Sequence, residues 1–258
     1  MDPNRCRSIE EVVDRMWERW RRLDRARDWR AVFAKTYLRT TEAIGEATAR
    51  PGVFENPDWV VEIDCEFAWR YFEAFDRFEE GSDCPWPWQV AFQSAKSKRT
   101  LAIQDVLLGM NAHINYDLPY SLAATVPPTA SGADLEAYRR DNQVLNEVLG
   151  SAIDMVQRRV ASRYDVMLGA IDAAMCDRDE AFAGSMIRAW RARSWNSFMV
   201  LRTSNDPPAV DRLIEESAVD NALLLLEVQR AFPFLHWPNR AYRGLLWRLP
   251  KSAARSKM

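Results

Sequence analysis

Apolar residues recur at three- and four-residue spacing along most of the chain, and the alternating Val/Ile/Thr pattern of a half-buried strand is absent. Glycine is rare, with 9 in 258 residues. Together these leave helices as the building block and predict an all-α, multi-helix bundle. The spacing predicts helices over 8–25, 28–49, 57–80, 86–118, 120–126, 133–163, 164–175, 178–203, 207–231 and 238–248. Breaks fall at Pro51-Gly52, Gly81 to Pro87, VPPTASG (126–132), NDPP (205–208) and FPFLHWPN (232–239). Asp58 after Pro57, Asp134 after Gly132 and Asp206 before Pro207 suit helix starts. No predicted loop exceeds roughly a dozen residues, so a single domain over 1–258 is expected.

Charge and composition narrow the partners. The formal net charge is −2, without a block of like charges. Nucleic acid is therefore not an expected partner, since neutralising phosphates needs a concentrated basic surface. The Arg-rich start (Arg15, Arg19, Arg21, Arg22, Arg25, Arg27) is interleaved with Glu18, Asp24 and Asp28 and reads as a solvated helix face. The N-terminus lacks an apolar signal-like run, and ALLLLEV (222–228) is too short to span a bilayer. A cytoplasmic protein without membrane insertion is expected, and a homodimer stays open. Cys6, Cys65, Cys84 and Cys176 form no C-x-x-C pair and read as reduced thiols. Eleven tryptophans point first to a bulky core and second to an aromatic pocket.

The segment 93–118 stands out. On a helical wheel, Gln93, Ser97, Thr100, Gln104, Asn111 and Asn115 form one stripe between apolar flanks. His113 and Asp117 are one turn apart on a second face. Lys98, Asp105, Gly109 and Tyr116 are left for solvent. A helix apolar over most of its circumference is central, so its polar groups are buried and need partners. Either the amides pair with one another and with helix ends, or the stripe lines a ligand cavity anchored by Asn111 and Asn115. On 58–81, Glu62, Glu66, Arg70, Glu73 and Arg77 read as a solvated face. Asp64 instead falls among Phe67, Ala68, Tyr71 and Phe75, where burial raises a carboxyl pKa.

Three stretches, FAKTYLRTTEAI (33–44), VFENPDWVVEIDCEFAWRYFEAFDRF (53–78) and LLGMNAHINYDLP (107–119), together resemble a bacterial family of unknown function, DUF 5995, found mainly in actinobacteria. SMIRAWRARSW (185–195) resembles a later stretch of that family. The resemblance implies a family-like core at 28–203, with 232–258 as a Trp-rich C-terminal extension. Its pattern falls on Tyr37, Thr41, Glu42, Asp64, Phe67, Tyr71, Asn111, His113, Asn115, Asp117, Arg188 and Trp195. It departs at Ile63, where Leu is usual, and at Tyr116. It implies no particular activity.

The chemistry left open is general acid/base work. Glycine-rich phosphate loops, G-x-S-x-G and the Glu-x-x-His pairs of di-iron bundles are absent from the sequence. No metal or other cofactor is expected. Asp117, His113 and Asp64 are the expected catalytic residues, with Asp117 orienting His113, holding it as an imidazolium and raising its pKa. Asn111, Asn115, Glu42, Tyr37, Tyr71, Trp69, Arg188 and Trp195 are the expected substrate-binding residues. The expected ligand is a bulky apolar or aromatic small molecule. The expected function is a cyclase, isomerase or lyase, of the kind used in secondary metabolism. The alternatives are a non-catalytic binder of an apolar ligand and a structural or interaction protein. An expected pocket lies where 28–49, 58–80 and 93–118 meet, with Asp64, Asn111 and Asn115 as its polar anchors.

Overall fold

The computed structural model describes residues 5–98, 100–164 and 178–231. Among them, all regular structure is helical: α1 (Ile9–Ala26), α2 (Ala31–Thr48), α3 (Pro57–Glu80), α4 (Trp86–Ser97), α5 (Ala102–Asn111), a π-helical turn (Ala112–Asp117), α6 (Leu118–Thr125), α7 (Gly132–Tyr164), α8 (Arg178–Thr203) and α9 (Pro207–Ala231). The all-α expectation is met. The helix expected at 238–248 and the extension at 232–258 lie outside the described residues, as does 164–175 beyond Tyr164.

Local chemistry sets the boundaries. Ser8 caps α1 by accepting from Glu11 N at 3.3 Å, and Arg27 ends it with a left-handed backbone. Pro57 sits in the first turn of α3, and Gly81 closes that helix at φ 69°. Asp206 caps α9 through Ala209 N at 3.2 Å. In α1, Ile9, Val12, Met16, Trp20 and Leu23 form a buried stripe at three- and four-residue spacing. It packs on α2, which lies in turn against α7 and α5.

The predicted single helix 86–118 is instead two helices and a π turn. Lys98 turns left-handed at φ 57° and ends α4. Leu101 opens α5, with its N–H donating to Gln104 Oε1 at 2.9 Å. The polar side chains that extended the stripe on the wheel divert the backbone instead. Ser97 Oγ bonds Ser94 O, and Thr100 Oγ1 bonds the carboxylate of Asp105. Asp105, placed on the solvent side by the wheel, is thus buried at a helix start. Glu66, placed on a solvated face of α3, is likewise buried, under ion pairs from Arg5 and Arg70.

Two apolar clusters meet at the π turn. Val12, Met16, Leu38, Tyr71, Phe75 and Trp88 belong to one, with Ala112 beside them. Ile44, Val60, Ile63, Leu122, Trp195 and Phe198 belong to the other, with Ile114 and Leu118. The turn touches α3, α4, α8 and α9 besides its own neighbours in the chain.

Gly109, also expected at the surface, sits against Phe33. A Cβ there would lie 2.3 Å from Phe33 Cδ2. On helix propensity alone Gly109→Ala would stabilise by about 1 kcal/mol. Displacing a packed ring reverses the sign, and we expect a net loss of about 1–3 kcal/mol. Urea unfolding of the variant decides between the two; an unchanged or higher midpoint would remove the close approach from this account.

Candidate functional site

The π turn follows from Pro119. Without an N–H, Pro119 cannot continue the ladder, and its ring crowds the carbonyl four residues back. The backbone widens by one residue, and Leu118 N–H donates to His113 O. That shift removes the usual partner of Ile114 O, and Pro119 cannot replace it. Ser194 of α8 supplies the bond, with Oγ 2.6 Å from Ile114 O. Residues 111–117 are thereby fixed to a distant helix.

His113 and Asp117 meet as their spacing implied. His113 Nδ1 is 2.9 Å from Asp117 Oδ2, and Trp88 Nε1 donates to the same oxygen at 2.9 Å. An ionised carboxylate only accepts, so the Nδ1 carries the proton and Nε2 presents a lone pair. Phe67 stacks on the imidazole at 3.4 Å, and Tyr37 lies edge-on at 4.5 Å. His113 is 4% exposed, and its Nε2 has no hydrogen-bond partner. Burial pushes its pKa down, outweighing the pull of Asp117, and the charge of Arg191 adds to the lowering. The expected raised pKa is thus reversed. The ring is enclosed by aromatics, which solvate an imidazolium poorly, and Asp117 is shared with Trp88.

Asp64, 4% exposed on α3, has an unpartnered Oδ2. Burial pushes its pKa up to about 7. Tyr37 Oη is also buried and unpartnered, and burial, with the charges of Asp64 and Asp117, raises its pKa. Arg191 of α8 completes the group. It is 3% exposed, and its Nη2 donates to Asn142 Oδ1 at 2.6 Å and to Asn142 O at 3.2 Å. Its Nε has no partner.

These four residues line one cavity of about 70 Å³. Its walls are otherwise mostly apolar, with Ile44, Val60, Ile63, Phe67, Leu118 and Ile187 among them. A cavity lies between α2, α3 and the π turn, as expected, and it extends to α7 and α8. Its polar anchors differ in part from the expected set. Asn111 and Asn115 do not line it: Asn111 Nδ2 donates to Ala218 O of α9 at 2.7 Å, and Asn115 Nδ2 donates to Asn111 Oδ1 at 3.0 Å. Asn111 thus fastens α9, and Asn115 holds Asn111. Gln104, from the same stripe, bonds Leu225 O of α9 at 3.0 Å.

Other expected binding residues also fall elsewhere. Glu42 pairs with Arg39 on the outer side of α2. Trp69 lies under Arg5, 4.2 Å from its guanidinium carbon. Arg188 is exposed. Trp195 packs edge-on to Phe198, and Tyr71 is core, 5.3 Å from Trp88; neither lines the cavity. Arg191, Phe67 and Trp88 were missing from the expected site. Arg191 had a signal: it stands four residues after Ile187 and four before Trp195, on the apolar face of α8, whereas Arg188 does not. Among the described residues, no three His, Cys, Asp or Glu side chains converge as metal ligands, and no helix is long and apolar enough to cross a membrane.

Fold and site together define an all-α protein with a buried His–Asp pair on a π turn, facing a small mixed-polarity cavity. The chain belongs to the family of unknown function DUF5995, which matches residues 9–228. No curated protein and no solved structure matches it.

The two buried titrating groups act on stability in opposite pH ranges. The folded pKa of His113 is lowered, so the unfolded chain binds the proton more readily. Its contribution is complete above about 6.5 and is lost as pH falls through that value. The folded pKa of Asp64 is raised, so its neutral form is favoured and stability falls as pH rises between about 4 and 7. Ionising Asp64 in place costs on the order of 4 kcal/mol. The melting temperature of Asp64→Asn relative to wild type is therefore expected to climb from pH 5 to pH 8.5. A difference independent of pH would show that Asp64 does not titrate in this range.

Proposed function

We propose that the protein is a cofactor-independent enzyme that moves protons on a small, mostly apolar substrate: an isomerase, cyclase or lyase. The observation that carries this reading is that His113 Nε2 and Asp64 Oδ2, both buried and unpartnered, line the same cavity. Leaving such groups unbonded costs about 1–3 kcal/mol each, a cost that a bound molecule offsets. Neutral His113, held in one tautomer by Asp117, takes a proton from carbon through Nε2. Asp64, protonated up to about pH 7, delivers one to another atom of the substrate. The pair leaves the substrate formula unchanged in an isomerisation or cyclisation, or releases a neutral leaving group in an elimination. Tyr37 donates a hydrogen bond to charge developing on the substrate.

The cavity volume narrows the expected bulky metabolite. About 70 Å³ is roughly half of the ~150 Å³ of an apolar cavity that holds one benzene ring. It suits a molecule of few heavy atoms or the reacting end of a longer one. A role in secondary metabolism is compatible with this reading and is carried by no feature of the site.

The test is incubation with a mixed metabolite extract in H₂O and in D₂O, read by mass spectrometry. Wild type is expected to convert at least one compound to an isomer that carries solvent deuterium at carbon, or to an elimination product that has lost its leaving group and gained no deuterium. His113→Gln is expected to slow this by about a hundredfold or more. Asp117→Asn, which removes the anchor of the tautomer, is expected to slow turnover similarly while ligand affinity is kept. A ligand retained without turnover would select the non-catalytic binding reading, which the cavity also supports. Equal rates for wild type and His113→Gln would overturn the assignment of the base.

A further inference from the structure

We propose that the cavity takes a small carboxylate, with Arg191 binding the carboxylate group and the apolar wall taking its short carbon body. This deepens the reading of the cavity as a substrate site and rests on it. Two buried arginines among the described residues make the contrast that carries it. Arg30, 5% exposed, is neutralised by Asp28 and Glu79, each at 2.6 Å. Arg191 is buried as deeply and has no carboxylate within ion-pair distance among the described residues. Its protein acceptors are the two neutral oxygens of Asn142, and its Nε is left unbonded. The neighbouring acid is already committed: Asp141 accepts from Glu55 N and Asn56 N at 2.8 Å each and from Asn56 Nδ2 at 3.1 Å.

A buried cation without a counter-charge is costly, and the unbonded Nε–H is a charged donor suited to a carboxylate oxygen. Burial lowers the Arg191 pKa only to about 10, so the charge persists at neutral pH. The remaining lining decides the size and nature of the anion. A phosphoryl group calls for several cationic or backbone donors, and among the described residues the cavity offers one arginine. The apolar side chains Ile44, Val60, Ile63, Leu118 and Ile187 favour a hydrocarbon body over a bare halide. Arg191 also lies near enough to His113 for its charge to disfavour the imidazolium. An acid held by Arg191 therefore shares the cavity with His113.

Isothermal titration in chloride-free buffer tests this with the straight-chain carboxylates from acetate to hexanoate, their primary amides, and sodium chloride. Wild type is expected to bind at least one carboxylate about tenfold or more tighter than its amide, with affinity depending on chain length. Arg191→Met is expected to lose that preference, and Arg191→Lys to keep part of it. The preference of wild type for acid over amide stands as a test even where the variants do not fold. Amides binding as well as acids would overturn the carboxylate assignment and leave the proposed enzyme intact. Chloride competing with every acid, without chain-length dependence, would make this a halide site and overturn the inference. No binding by any acid would overturn it too. Binding that depends on Arg191, with no turnover of any compound, would instead support the inference and count against the enzymatic reading.

Discussion

One carboxylate organises the centre of this protein. Asp117 Oδ2 accepts from the His113 ring on its own turn and from the Trp88 indole of α4. Both donors are buried, so neither has water as an alternative partner, and Asp117 is the acceptor that satisfies them. Both His113 and Asp117 lie on the π turn. That turn arises because Pro119 cannot donate, and Ser194 takes up the carbonyl it strands. A backbone irregularity, a tautomer and the docking of α8 are thus parts of a single arrangement.

Around that centre, burial acts on two titratable groups in opposite directions. Asp64 is held toward its acid form and His113 toward its free base, because each is neutral in that state. Near neutral pH, a proton donor and a proton acceptor line one cavity, and neither carries a full charge. Arg191 is the exception: it stays charged, held by Asn142. Such separation of acid and base by environment is how one fold supports proton transfer near pH 7.

The amide stripe follows the first of its two readings, bonding within itself and to a neighbouring helix, and not the pocket-anchor role expected of Asn111 and Asn115. Asn111 and Asn115 are buried, as the wheel required, but Asn111 bonds α9 and Asn115 bonds Asn111. The wheel assumed 100° per residue across 93–118. The break after Ser97 and the π turn both reset that phase. A helical wheel also has no knowledge of which neighbour covers a face, and α9 follows nearly a hundred residues later in the chain.

The sequence by itself determined the helical class, most helix boundaries, the burial of Asp64 and the His113–Asp117 contact. Each depends on local spacing, capping residues or a four-residue interval within one helix. Tertiary structure alone decided that Trp88 shares Asp117, that Phe67 covers the imidazole and that His113 is driven toward its neutral form. It also decided that Arg191, rather than Arg188, lines the cavity. These depend on which helices meet and on how much water their meeting excludes. Burial is a property of the packed whole, so the direction of a pKa shift and the partner of a buried charge are fixed only when the helices close around them.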